Sequence, residues 1–158
     1  MAAAAGQWDE VPNPAIFSFA PNHAILRQNR WGYTAIAKIL VVEDNKQNAL
    51  LMKRVLEVNN HEVIHVSDGE SGLTTAIEEQ PDLILVDLGL PDIDGQTLVA
   101  LIKRVDELKD VPTVAVTAWP EDTAREMALA YGCDGFISKP INTRAFPDQI
   151  AAFLTKKP

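Results

Sequence analysis

From Lys38 onward the chain alternates between two rhythms of apolar and polar residues. Strand-sized segments lie at Lys38–Val42, Glu62–Val66, Asp82–Val86, Pro112–Thr117 and Gly135–Ser138. Their apolar stretches, such as Leu83 to Val86, suit strands buried on both faces. Between them the spacing turns helical. Lys46–Asn59 reads as a helix with Leu51, Val55 and Val58 on one stripe and Asn59-Asn60 as its stop. Ser67-Asp68-Gly69 forms a turn, and the helix after it runs to about Glu79, where Pro81 ends it. Leu98, Leu101, Ile102 and Val105 recur at i, i+3, i+4 and i+7. Pro120 suits the first turn of the next helix, Glu121 and Asp122 favour its positive end, and Gly132 closes it. A last helix carries Phe146, Ile150, Phe153 and Leu154, with Pro147 limiting how early it begins.

Five strands alternating with five helices predict an α/β fold: a doubly wound, five-stranded parallel sheet covered on both faces, with right-handed crossovers. In such a sheet, sites form beyond the C-terminal ends of the strands.

Residues 1–37 follow neither rhythm. They hold Pro12, Pro14 and Pro21 and scattered aromatics, namely Trp8, Phe17, Phe19, Trp31 and Tyr33. An irregular N-terminal extension, 1–37, is expected ahead of a domain over 38–158. It is either a dispensable extension (or a misplaced reading-frame start), or an arm whose aromatics dock on a partner or on the domain.

Composition narrows the function classes. With 47% hydrophobic and 23% charged residues, the 158-residue chain suits one ordinary globular domain and some extra. No apolar run approaches the roughly 20 residues that span a bilayer, and Ala2–Ala5 lacks the flanks of a secretory signal. A cytoplasmic protein with no membrane association is expected. The single cysteine, Cys133, excludes an internal disulfide and reads as a small structural residue. The net charge of −8 argues against nucleic acid as a partner. In residues 1–37, Asp9 and Glu10 cancel Arg27 and Arg30, so the acidic excess belongs to the later domain.

The strand ends concentrate the chemistry. Glu43-Asp44 follows the first strand, Asp87 the third, Thr117-Ala118 the fourth and Ser138-Lys139-Pro140 the fifth. Gathered at one edge, these residues supply three carboxylates, a hydroxyl and an ammonium. Singly each has an ordinary reading: an Asp at a strand end is a turn or cap residue, a Lys is solvated, a Thr is a good strand former. Together, carboxylates about 5 Å apart repel by roughly 3 kcal/mol at an effective dielectric near 20 and call for a cation. Oxygen ligands suit Mg²⁺. His23, His61 and His65 are scattered and read as ordinary surface or half-buried residues. Lys139 is suited to pair with Asp87 at rest and with a phosphoryl oxygen afterwards, Thr117 to donate to another oxygen, and Ala118 to leave room. The implied chemistry is phosphoryl transfer to a carboxylate.

These residues carry a resemblance. Ile39-Leu40-Val41-Val42-Glu43-Asp44-Asn45, Asp82 to Asp87, Leu90-Pro91-Asp92-Ile93-Asp94-Gly95, Val116-Thr117-Ala118 and Lys139-Pro140 resemble the receiver domain of two-component response regulators over about three quarters of the chain. The resemblance implies a flavodoxin-like (βα)5 fold with strand order 2-1-3-4-5. It implies Asp87 as phosphoacceptor, and Glu43, Asp44, Asp87 and the Gly89 carbonyl as the Mg²⁺ site. Thr117 and Lys139 would bind the phosphoryl oxygens. Phe136 would be an aromatic switch moving with Thr117, its plain alternative being a core aromatic. The Lys139-Pro140 bond would be cis. A histidine kinase or phosphotransfer protein would supply the phosphoryl group and a downstream protein would read it. A receiver catalyses only its own phosphorylation and dephosphorylation.

Departures from the family pattern are Glu43 where Asp is common, Gly89 where a longer side chain is usual, and Trp119 two residues after Thr117. The last is either local packing or an exposed anchor for a partner. Two rival functions stand beside the relay. An aspartate-nucleophile phosphatase would want a second Asp where Gly89 stands. An unphosphorylated adaptor would have no need of the acidic set.

Overall fold

The computed structural model describes residues 25–29 and 32–155. Within the segment expected to be irregular, β1 (Ile25–Asn29) pairs antiparallel with β2 (Gly32–Ile36), Ile25 opposite Ile36 and Asn29 opposite Gly32. Ile25, Tyr33, Thr34 and Ile36 are residue types that favour extended backbone, but Arg27-Gln28-Asn29 and Gly32 leave no apolar run like that of Leu83 to Val86 to mark these strands. Residues 1–24, with the aromatics read there, and Trp31 lie outside the described residues.

The hairpin forms a two-stranded sheet of its own. The rest is the predicted five-stranded parallel sheet, built from β3 (Lys38–Val42), β4 (Glu62–Val66), β5 (Leu83–Asp87), β6 (Thr113–Thr117) and β7 (Gly135–Ser138). Its order is β4-β3-β5-β6-β7, which is 2-1-3-4-5 over the five parallel strands. The helices are α1 (Lys46–Val58), α2 (Gly69–Glu79), α3 (Gly95–Arg104), α4 (Glu121–Tyr131) and α5 (Phe146–Thr155).

Alternate residues of each central strand feed opposite faces, as the pleat requires. Ile39, Val41, Leu83, Leu85, Val114, Val116 and Ile137 meet Met52 and Leu56 of α1 and Phe146 and Ile150 of α5. Leu40, Val42, Ile84 and Val86 meet Ala76 of α2 and Leu98 and Ile102 of α3. A smaller cluster joins Leu88, Val99 and Ala115 to Ala128 of α4 and to Cys133. Burial pushes the Cys133 thiol up to about 11, which leaves it an apolar packing residue at neutral pH.

One predicted stripe is corrected. On α1 the buried residues are Ala49, Met52 and Leu56; of the expected stripe Val55 packs partly buried against the same core, whereas Val58 is 81% exposed and Leu51 is exposed as well. Residues 49 to 52 are all apolar, so the sequence offers two faces one residue apart, and packing against the sheet selects the other one.

Helix ends follow their capping residues. Asn45, Asp68 and Asp94 accept backbone N–H groups of the first turns of α1, α2 and α3. Gln80, left-handed at φ 45°, ends α2 just before Pro81, and Gly132, at φ 80°, ends α4.

Candidate functional site

The parallel register brings the C-terminal ends of β3, β5, β6 and β7 to one edge. Val42 lies beside Val86, Asp87 beside Val116, and Thr117 beside Ser138. Asp87 is the last residue of β5, with a ladder partner on β6. Its carboxylate is therefore carried on rigid backbone.

One carboxylate oxygen each from Glu43, Asp44 and Asp87 lie within 4.8 Å of one another. Two unit charges at that separation repel by about 3.5 kcal/mol at an effective dielectric near 20. Lys139 enters from the end of β7, its Nζ 2.8 Å from Glu43 Oε2 and 3.2 Å from Asp87 Oδ2. The Gly89 N–H donates to Asp87 Oδ1 at 2.9 Å. The Asn45 N–H donates to Glu43 Oε1 at 3.0 Å.

Protonation preferences follow. Burial raises the Glu43 carboxyl above its ordinary value, and the Lys139 ammonium and the Asn45 amide only partly offset it. Burial acts in the same direction on Asp87, but there the Gly89 amide and Lys139 outweigh it and hold the carboxyl below its ordinary value. Burial alone would lower Lys139; the Glu43 and Asp87 carboxylates reverse that and raise it. Asp87 is thus held as a carboxylate beside a charged ammonium.

The donor set fits a divalent cation. Glu43 is fully buried, and its Oε2 has the Lys139 ion pair but no hydrogen bond of favourable angle. Three carboxylates against one ammonium leave two negative charges. Only oxygen ligands converge, which suits Mg²⁺ better than a softer metal. Among the described residues this is the one cluster of potential metal ligands.

Thr117 is buried, its Oγ1 accepting the Trp119 N–H at 3.1 Å, so the hydroxyl proton remains available to a further acceptor. The Lys139 N–H bonds the Thr117 carbonyl at 2.7 Å, tying the two phosphoryl-binding candidates together through backbone. The Lys139-Pro140 bond is cis. Trp119 is 37% exposed. Phe136 is half-buried against the α4 cluster, with the Arg125 guanidinium 5.9 Å from its ring centroid.

Two histidines read as ordinary from sequence have specific partners. His61 Nδ1 accepts the Ala37 N–H at 3.2 Å. His65 Nε2 lies 2.8 Å from the Glu43 carbonyl oxygen. No sequence signal marks either contact, since each depends on a neighbouring strand brought alongside by the fold. His23 lies outside the described residues.

A family model described as the response regulator receiver domain matches residues 39–151. The polar-differentiation response regulator DivK of Brucella anthropi is 36% identical over 116 residues, 73% of this chain and 94% of DivK. Among solved structures, the receiver domain of a sensor histidine kinase from Pseudomonas aeruginosa superposes with a TM-score of 0.71 at 28% identity, covering 77% of this chain and 100% of that one. That structure holds a magnesium ion coordinated in its active-site cleft. The chemotaxis response regulator CheY4 of Vibrio cholerae shares the fold at a TM-score of 0.71 and 23% identity, over 75% of this chain and 98% of that one.

Proposed function

The chain belongs to the response-regulator receiver family, and from that premise we propose that Asp87 accepts a phosphoryl group from a histidine kinase or phosphotransfer protein. The single observation that carries this reading is the Asp87 carboxylate, held ionised between the Gly89 amide and the Lys139 ammonium and beside the acidic pair Glu43 and Asp44.

An Asp87 carboxylate oxygen attacks phosphorus, a P–O bond forms, and the bond from phosphorus to the donor's histidine nitrogen breaks. Lys139 follows the charge from Asp87 to a phosphoryl oxygen, and Thr117 donates its hydroxyl proton to another. Ala118 leaves room for the group. Mg²⁺, held by Glu43, Asp44, Asp87 and the Gly89 carbonyl, would neutralise charge building on the phosphoryl oxygens. The donor set and the magnesium-bearing relative support that ion. Phe136 would then move with Thr117, shifting the population between two packings of the face of α4, β7 and α5 that a downstream protein reads.

Output would pass by protein contact or onward phosphotransfer; the likeness to DivK, matched over 94% of its length, supports a response-regulator role. The acidic balance speaks against nucleic acid as the target. No helix among the described residues is long and apolar enough to cross a membrane, and a cytoplasmic place of action goes with this reading.

Incubation with acetyl phosphate and Mg²⁺ should label the wild-type chain and leave Asp87→Asn unlabelled. Equal labelling of the two would remove the basis for the assignment.

A further inference from the structure

The Glu43 carbonyl has a partner that the sheet does not supply. The β3–β4 ladder runs to Val42 opposite Val66 and adds one rung, from the Glu43 N–H to the Val66 carbonyl at 3.0 Å. There β4 ends, and the chain turns through Ser67 into Asp68, which caps α2. The next parallel rung would bring an amide from beyond Ser67 to the Glu43 carbonyl. In its place stands His65 Nε2, at 2.8 Å. A carbonyl oxygen only accepts, so this nitrogen carries the proton.

We propose that His65 is a positioning residue for the acidic cluster: its Nε2–H fixes the Glu43-Asp44 peptide so that both carboxylates face Asp87 in the arrangement that takes a divalent cation. This rests on the function proposed above. With His65 in place, Glu43 is held at its N–H, its carbonyl and both carboxylate oxygens. Asp44 is exposed, so its direction depends on the planar peptide that leads into it. His65 itself is an exposed side chain of the edge strand β4, outside the core clusters. A substitution there reaches the cluster through one hydrogen bond and little else.

The test is isothermal titration of the full-length wild type, His65→Gln and His65→Leu with Mg²⁺, with melting recorded in its absence. Groups that hold metal ligands typically contribute 10–100-fold to affinity. Acting through backbone, His65 belongs at the lower end, so His65→Leu should bind Mg²⁺ about tenfold more weakly. The Gln amide can donate at similar reach and should stay within about threefold of wild type. Leu binding as tightly as wild type overturns the proposal, and so does Gln weakened as much as Leu. A wild type that neither binds Mg²⁺ nor labels at Asp87 takes down the functional reading and this inference with it. A labelled wild type matched by His65→Leu in affinity removes the inference alone.

Discussion

His61 accepts the Ala37 N–H through Nδ1, and a protonated Nδ1 cannot accept. Burial lowers its pKa below the ordinary value, so the folded chain binds fewer protons here than the unfolded one. Stability rises with pH wherever the unfolded state binds more protons. The His61 contribution is thus complete above the unfolded pKa of about 6.5 and is lost as pH falls from there toward the lower folded value. His61→Asn places a non-titrating acceptor near the same position. Urea unfolding at about pH 7.5 and 5.5 should show the stability gap between wild type and variant moving in the variant's favour at the lower pH. A gap that stays constant would mean that this ring titrates as it does in the unfolded chain. At this scale the sequence was legible where chemistry is carried by residue type and chain order. Glu43, Asp44, Asp87 and Lys139 meet as the strand ends suggested. It was silent on His61 and His65, whose partners are backbone groups just before and just after β3.

At the scale of elements, punctuation was easier to read than faces. Pro81 and Gly132 mark helix ends because each imposes a backbone geometry by itself. The α1 stripe was misread because four consecutive apolar residues leave the choice of face to the sheet. The start of α3 shows a constraint visible only in space. A Cβ on Gly95 would lie 2.9 Å from the Leu88 Cα and 2.5 Å from its Cδ2, so the helix N-terminus is packed directly on the residue after Asp87. Helix propensity alone would favour Ala there by up to about 1 kcal/mol, whereas overpacking costs about 1–3 kcal/mol. The Cδ2 can rotate away, but the backbone Cα at 2.9 Å cannot, so the cost should win. Gly95→Ala is expected to lower unfolding stability by about 1–2 kcal/mol in urea titrations. A more stable variant would show that the loop from β5 to α3 yields freely.

For the whole molecule, the alternation of strand-sized and helix-sized segments was enough for the doubly wound sheet, because parallel strands need helical crossovers of one hand. The start of the parallel sheet was legible, β3 taking the Lys38–Val42 bounds expected for it, whereas the short hairpin ahead of it was not. Ala37, between β2 and β3, is fully buried in the α1–α5 core. Its N–H bonds His61 and its carbonyl accepts the Glu62 N–H at 2.9 Å. Lys38 exchanges two bonds with Asp82, giving its N–H to Oδ2 and accepting the Asp82 N–H, each at 2.8 Å. A chain begun at Ile36 keeps all four of these bonds and should unfold within about 0.5 kcal/mol of the full-length protein. A chain begun at Ile39 loses them, and at about 1 kcal/mol per bond should be less stable by about 3–4 kcal/mol. Both would be compared by urea unfolding, with acetyl phosphate labelling as a check that the shorter chain retains its site. If the chain begun at Ile36 lost as much stability as the one begun at Ile39, the support would have to come from residues 1–35; if neither lost any, the Ala37 and Lys38 bonds would be replaced by water at no net cost.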